Sequence, residues 1–289
     1  MDTVIVNGFF VGVVYGLVAV GLVVTYRCSR VINFAYGEIG MLGAFVFSEL
    51  WLDNGVAMGV ALAAGIAVSA ALGGATEVVV MRPLRDQPRL AAMVGTLAVG
   101  VLIITYAVRR YTITPRYTLP LISGDGFRIA GVFVSRQQLL TLAIALVIVL
   151  GLWLVNRYTS FGLRLRATAL DSYAAGLVGV NNNVVSLVTW IFAGALAGLS
   201  AILIAPTVSM DVFFMTQLLF WSLAAALIGG LTSAGGAFVA GILLGIAEAV
   251  IRYKSPDIGV DVGLEQAVLA VFIIVMLLVR PAGLVRSRY

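Results

Sequence analysis

The sequence predicts an all-α, polytopic integral membrane bundle of eight or nine segments, with one short helix on its inner side. Three observations carry this prediction. Hydrophobic residues make up 62% of the 289 residues, charged residues only 11%, and mean hydropathy is +1.10. A soluble domain is about 25% charged, so this chain cannot clothe a globule in polar side chains. The apolar residues fall in runs of spanning length, and the arginines cluster between the runs.

A spanning helix needs roughly 20 mostly apolar residues. Nine stretches qualify: 4–26, 32–52, 55–81, 90–108, 139–155, 184–205, 213–231, 234–251 and 264–279. The fifth is the clearest. The second carries Glu38 and Glu49, and the seventh ends in Gly229-Gly-Leu-Thr-Ser-Ala-Gly-Gly236. Either is open to a re-entrant or broken form, which lipid tolerates only where protein or water lines it. The first stretch is expected to stay as a span, because only Asp2 precedes it and a cleavable signal needs a basic start.

Arginine placement sets the orientation. With all nine stretches crossing and the N-terminus outside, the inner connections hold Arg27, Arg30, Arg82, Arg85, Arg89, Arg157, Arg164, Arg166, Arg280, Arg286 and Arg288. The outer ones hold Arg109, Arg110, Arg116, Arg128, Arg136, Arg252 and Lys254. The positive-inside rule favours this arrangement and a cytoplasmic C-terminus. The outer loop 109–138 is long, and Pro115, Pro120, Gly124 and Gly126 predict an ordered hairpin there, with strand potential over Phe127–Val134. No linker divides the chain, so residues 1–289 read as a single domain. Small-residue pairs Gly12/Gly16, Gly194/Gly198 and Gly241/Gly245 predict close helix packing.

Composition also excludes chemistry. There is no histidine and one cysteine, Cys28. That removes zinc sites of the His/Cys type, Ser-His-Asp and Cys-His catalysis, and any intrachain disulfide. No G-x-x-x-x-G-K-[ST] phosphate loop occurs. No catalytic residue and no metal ligand is assigned, and the basic charge reads as topological rather than nucleic-acid binding.

The inner connection 157–183 holds the most informative motif. Asp171 is a good N-cap and Gly179 a good left-handed C′ residue, so Ser172–Val178 should form a short capped helix with Ala174, Ala175, Leu177 and Val178 as its apolar contacts. Physics leaves two readings of it: resting on lipid headgroups, or docking a cytoplasmic partner. Buried charge in a span is costly, which draws attention to Glu38, Glu49, Glu77, Glu248 and Glu265. Glu49 and Glu265 fall near outer ends and are expected to be solvated, and Glu77, one turn from Arg82, is expected to be an ion-pair or helix-end residue. Glu38 and Glu248 either bond neighbouring helices or line a path. Asn33 is expected to cap the helix that follows it.

Four ordered blocks then carry a resemblance. They are Gly12–Phe45, with Asn33-Phe34-Ala35-Tyr36-Gly37 inside it; Met81–Leu90; Arg166–Asn181; and Gly229–Val250 with Arg280-Pro-Ala-Gly-Leu284. Together they resemble the branched-chain amino acid permeases of ATP-binding cassette (ABC) importers, over nearly the whole chain. Where that family carries histidine in the first block, this chain has Tyr36. The resemblance implies that 171–179 is the coupling helix that presses into an ATPase, through Arg164, Arg166, Asp171, Ser172, Ala174, Ala175, Gly176, Leu177 and Gly179. It implies a second permease subunit, two cytoplasmic ATPases holding ATP and magnesium, and an extracytoplasmic solute-binding protein. It implies a prokaryotic inner-membrane location, with Asn33, Glu38 and Glu248 as candidates for the translocation path. The solute is left open among leucine, isoleucine, valine, urea, amides and organic acids. A self-contained channel or secondary transporter is the alternative, though no two-fold repeat of the kind common in such carriers is visible.

Overall fold

The structure is a computed structural model, and it describes residues 1–254 except Thr112, Asp125, Ala130 and Gly131, together with Val271. The rest of the ninth stretch, Glu265 and the arginines of the tail lie outside the described residues.

The chain is mostly helical. In order it runs α1 (Asp2–Ser29), α2 (Tyr36–Ser48), α3 (Met58–Thr76), α4 (Arg89–Tyr111), strands β1 (Phe127–Ile129) and β2 (Val132–Val134), α5 (Arg136–Tyr158), α6 (Ser160–Leu170), α7 (Ser172–Leu177), α8 (Asn182–Ile204), α9 (Phe214–Gly229) and α10 (Ala234–Lys254). Among the described residues, six helices are long and apolar enough to cross a membrane: Asp2–Ser29, Met58–Met81, Arg89–Tyr111, Arg136–Tyr158, Asn182–Thr207 and Ala234–Lys254. They match the first, third, fourth, fifth, sixth and eighth apolar stretches. The second and seventh, whose form the sequence leaves open, become the shorter helices α2 and α9, of 13 and 16 residues.

Helices α2 and α3 each pass into a single π turn, Glu49–Asp53 and Glu77–Met81. Each turn begins on a glutamate. Such turns occur where an extra residue enters the helical ladder, and they are frequent at functional sites.

The chain divides into two compact units: residues Met1–Val23, Pro120–Leu150 and Leu219 onward, and residues Val24–Leu119 with Gly151–Leu218. In the first, α1 and α10 meet on glycine. A Cβ on Gly12 would sit 2.6 Å from Ile242 Cα, and one on Gly8 would sit 2.7 Å from Ala249 Cβ. Gly241 and Gly245 face the backbones of Gly16 and Gly12 in return. Two of the predicted small-residue pairs therefore pack against each other, the arrangement that brings helix backbones together in lipid. Around them Ala19, Val23, Ala224, Ala225, Ala237 and Leu244 form an apolar cluster. The hairpin expected in the loop 109–138 is present as β1 antiparallel to β2, with Phe127 opposite Val134.

In the second unit α2 is surrounded. Twelve of its residues are buried, and α3, α8 and α4 pack on it. The junction is again small: a Cβ on Gly43 would meet Gly65 O at 2.7 Å, and one on Gly73 would meet Gly194 Cα at 3.1 Å. Ser69 Oγ donates to Ile39 O at 3.0 Å, linking α3 to α2 inside this seam. Gly194 and Gly198 both abut Ser69, so the third predicted pair is a packing site as well.

Candidate functional site

The short helix forms as its end residues dictate. Asp171 Oδ1 accepts hydrogen bonds from Tyr173 N (2.9 Å) and Ala174 N (3.0 Å), two of the donors that a helix start leaves free. At the other end Gly179 adopts φ +85°. Its N–H donates to Gly176 O at 3.1 Å, and Val180 N donates to Ala175 O at 3.0 Å. These paired bonds form a Schellman motif, which needs a residue free of Cβ strain at Gly179. The helix ends at Leu177 with Val178 as its C-cap, one residue earlier than expected.

Its faces differ from the sequence reading. Ala175 is 4% exposed, whereas Tyr173, Leu177 and Val178 are 76%, 73% and 80% exposed. Ala175 therefore belongs to the seat of the helix in its own chain, not to an outward contact face. Ser172, Ala174 and Gly176 are exposed, as is Arg164, and Arg166 is half-buried. Both arginines lie on α6, a capped helix absent from the sequence reading: Thr159 Oγ1 accepts from Gly162 N at 3.1 Å.

A brace of polar side chains, also missed, holds α6 and α7 to α8. Asn182 Nδ2 donates to Ser172 O at 2.6 Å, and Thr168 Oγ1 donates to Asn182 Oδ1 at 3.1 Å. Asn181 caps α8 through Asn183 N and Val184 N. The Asn181-Asn182-Asn183 run was the available signal: three short amides in a row suit caps and local bridges rather than helix interior.

The connections expected on the inner side meet at one end of this unit. Arg30 Nη2 donates to Ala169 O at 2.7 Å, and Arg85 Nη1 donates to Asn183 Oδ1 at 2.6 Å. Glu77 is fully buried and accepts from Arg82 at 3.0 Å and Arg85 at 3.3 Å, so of the two forms expected of it, ion pair or helix end, it takes the ion pair, with two arginines. At the opposite end Glu49 pairs with Arg110 and accepts from Tyr111 Oη at 2.9 Å, so it is clamped rather than simply solvated. Asp53 pairs with Arg116 at 2.8 Å, and Arg116 forms an isolated backbone bridge with Met210. Helix α2 and its π turn connect the two ends.

Glu38 lies on the first turn of α2, 4% exposed. Its Oε1 accepts from Thr216 Oγ1 at 2.9 Å, while its Oε2 is buried with no partner among the described residues. The Tyr36 hydroxyl, on the same turn, is likewise buried and unpartnered. A buried polar atom without a partner costs about 1–3 kcal/mol, so this turn is held at an energetic cost. Asn33 is buried too, but it does not cap α2. Its Oδ1 accepts from Ala35 N at 3.1 Å in a local turn, and α2 starts from Ala35 without a side-chain cap.

Glu248 belongs to the first unit. It accepts from Tyr15 Oη at 2.7 Å and pairs with Arg252 at 2.9 Å. Glu38 and Glu248 thus sit in different units, each with its own partners.

Six helices of spanning length, with buried glutamates among them and a capped short helix between two of them, fit a polytopic membrane helix bundle. The comparisons narrow this. Residues 4–279 match the family model described as branched-chain amino acid transport system / permease component, and the chain belongs to that family. It is 30% identical to the high-affinity branched-chain amino acid transport system permease protein BraD of Pseudomonas aeruginosa, covering 97% of this chain and 94% of that one. It is 26% identical to the corresponding permease protein LivH of Escherichia coli, over 96% and 93%. A probable branched-chain amino acid transport permease protein LivH of Methanocaldococcus jannaschii is 29% identical over 82% and 76%. Among solved structures, PsaBC from Streptococcus pneumoniae in complex with Fab superposes with a TM-score of 0.53 at 14% identity, over 96% of this chain and 91% of that one. That likeness bears on the fold alone. The chain is a permease subunit of the ABC importer type.

Proposed function

We propose that the chain imports branched-chain amino acids or a closely related small polar solute, driven by ATP hydrolysis on separate subunits. It acts as one permease domain over residues 1–289 and sits in the prokaryotic inner membrane with its C-terminus in the cytoplasm. It pairs with a second permease subunit, receives solute from an extracytoplasmic binding protein, and docks two cytoplasmic ATPases that carry ATP and magnesium. The chain itself holds no cofactor and catalyses no reaction.

The observation that carries this reading is α7. It is fixed at both ends by Asp171 and Gly179, braced to α8 through Asn182, and exposes Tyr173, Leu177 and Val178. A six-residue helix does not need this much fixing unless its position matters. Its exposed apolar side chains suit a groove on a protein partner, and a rigid seat lets force applied there reach α6 and α8. Transport would follow from differential binding of the partners to two conformations. Glu38, with Asn33 nearby in sequence, and Glu248 support the path, each within its own unit.

The test is reconstitution of the chain with its co-purifying subunits and ATP-dependent uptake of labelled leucine, isoleucine and valine, compared with urea and acetamide. Uptake that requires ATP and favours the branched amino acids is expected. Uptake by the chain alone without ATP would show a self-contained carrier instead. ATP-driven uptake of urea or acetamide alone would overturn the solute class.

A further inference from the structure

At the Arg30–Arg85 end of the second unit lies a cavity of about 490 Å³. Pockets that enclose small organic ligands run from about 300 to 1,000 Å³. It is walled by the end of α1, the turn after α3, the start of α4, the α6–α7 junction and the start of α8. Three lining residues are arginines, Arg30, Arg85 and Arg89, and none of the described lining residues is acidic. Its buried lining is mixed: Val31, Met81, Ala92 and Ala169 are apolar, and Thr168 and Ser186 are polar.

The arginines are unequally committed. Arg85 is bonded to Glu77 and Asn183. Arg30 uses one guanidinium nitrogen on Ala169 O. Arg89 makes no ion pair or side-chain hydrogen bond with the described residues and is exposed. Arg30 also has φ +56°, and it is the only described non-glycine residue with positive φ. Left-handed backbone at a long side chain is strained, and such strain persists where surrounding structure enforces it. Here it accompanies a cation at the cavity wall.

We propose that this cavity binds a phosphate-bearing anion, held by Arg30 and Arg89, with Arg85 contributing through its remaining donors. The mixed lining suits a phosphate that carries a short polar and hydrocarbon stem, as an anionic phospholipid headgroup with its glycerol and first methylenes does. A soluble phosphate compound is the other source of the same chemistry. Guanidinium groups match phosphate oxygens in pairs, and basic pockets between membrane helices are known to hold anionic headgroups. Leu170 and Ser172 line the cavity beside the start of α7. Occupancy would therefore stiffen the α6–α7 junction. The binding site stands independently of the transport reading, because it is measured on this chain alone.

The experiment is retention of phosphatidylglycerol by the purified full-length chain in phosphatidylcholine nanodiscs, read by native mass spectrometry, with and without inorganic phosphate as competitor. Removing each arginine should weaken retention about fivefold, and both about thirtyfold, at roughly 1 kcal/mol per arginine. Arg89→Gln removes an exposed charge. Arg30→Gly removes the second and suits φ +56°, but it also gives up the bond to Ala169 O; Arg89→Gln leaves that bond in place and separates loss of binding from loss of fold, and Arg30→Lys should restore part of the retention. Phosphatidylglycerol bound selectively and not displaced by inorganic phosphate identifies the lipid source. Displacement by millimolar phosphate identifies a soluble one. Phosphatidylglycerol retention and inorganic-phosphate binding that are both equal in the parent and the Arg30→Gly/Arg89→Gln variant, or no preference for phosphatidylglycerol over phosphatidylcholine together with no binding of inorganic phosphate, overturn the proposal.

Discussion

Tyr15 donates a 2.7 Å hydrogen bond to Glu248, joining α1 to α10 across 233 residues of sequence. The same two helices interlock through Gly12, Gly16, Gly241 and Gly245. Close backbone approach and a buried polar bond thus reinforce one another. The carboxylate is also held by Arg252, one turn along α10. Tyr15→Phe should therefore cost about 1.5–3 kcal/mol, the range for a bond to a charged group, without releasing Glu248 from α10. Thermal unfolding in detergent reads this. A variant as stable as the parent would show that the bond is not a tie between the helices.

The glycine seam should tolerate less. Gly245→Val would drive a branched side chain into the Gly12 backbone, which cannot rotate away. Overpacking alone costs about 1–3 kcal/mol, and a collision with backbone should exceed it. Gly151 is the control, since a Cβ there meets nothing within 4 Å. Gly151→Ala should stabilise α5 by about 0.5–1 kcal/mol. Equal effects of the two substitutions on the yield of folded chain would remove the seam from the argument.

Glu38 is held through one oxygen only. Glu38→Gln keeps a group able to accept from Thr216 and should leave the fold intact. Solute uptake should nevertheless fall several-fold, because the second oxygen is the group left without a fixed partner. Thr216→Val should act through Glu38 and lower uptake less. Full uptake by Glu38→Gln would assign the residue to packing alone.

The long apolar helices were legible because span length and arginine spacing both leave marks in the sequence. Asp171 and Gly179 were legible for a local reason: a cap is satisfied within three or four residues. The two π turns were not, since an inserted residue changes the ladder and leaves hydropathy unaltered. Helix α6 was obscured because its arginines and apolar residues are mixed over only 11 residues. Glu49 gave no sign of its clamp, as Arg110 lies 61 residues away. The inward turn of Ala175 was hidden too: six residues are too few for periodicity to separate an inner from an outer face.

That inward turn decides how α7 must be probed. Ala175→Trp would unseat the helix from its own chain, because Ala175 is 4% exposed, and a loss of coupling would then say nothing about docking. Leu177 and Val178 are the informative positions, at 73% and 80% exposure. Leu177→Asp places a charge on the presented face while leaving the Asp171 cap, the Gly179 turn and the Asn182 brace in place. The permease should therefore fold as the parent does, but it should lose co-purifying ATPase and solute-stimulated hydrolysis together. Asp171→Ala acts differently. Removing an N-cap costs about 0.5–2 kcal/mol of helix stability, while Asn182 still holds Ser172 O. Coupling should weaken only in part, with assembly retained. ATPase retention on the purified complex, measured beside hydrolysis in proteoliposomes, separates the two effects. If Leu177→Asp assembles and couples like the parent, α7 rests on lipid headgroups and the ATPases engage the chain elsewhere.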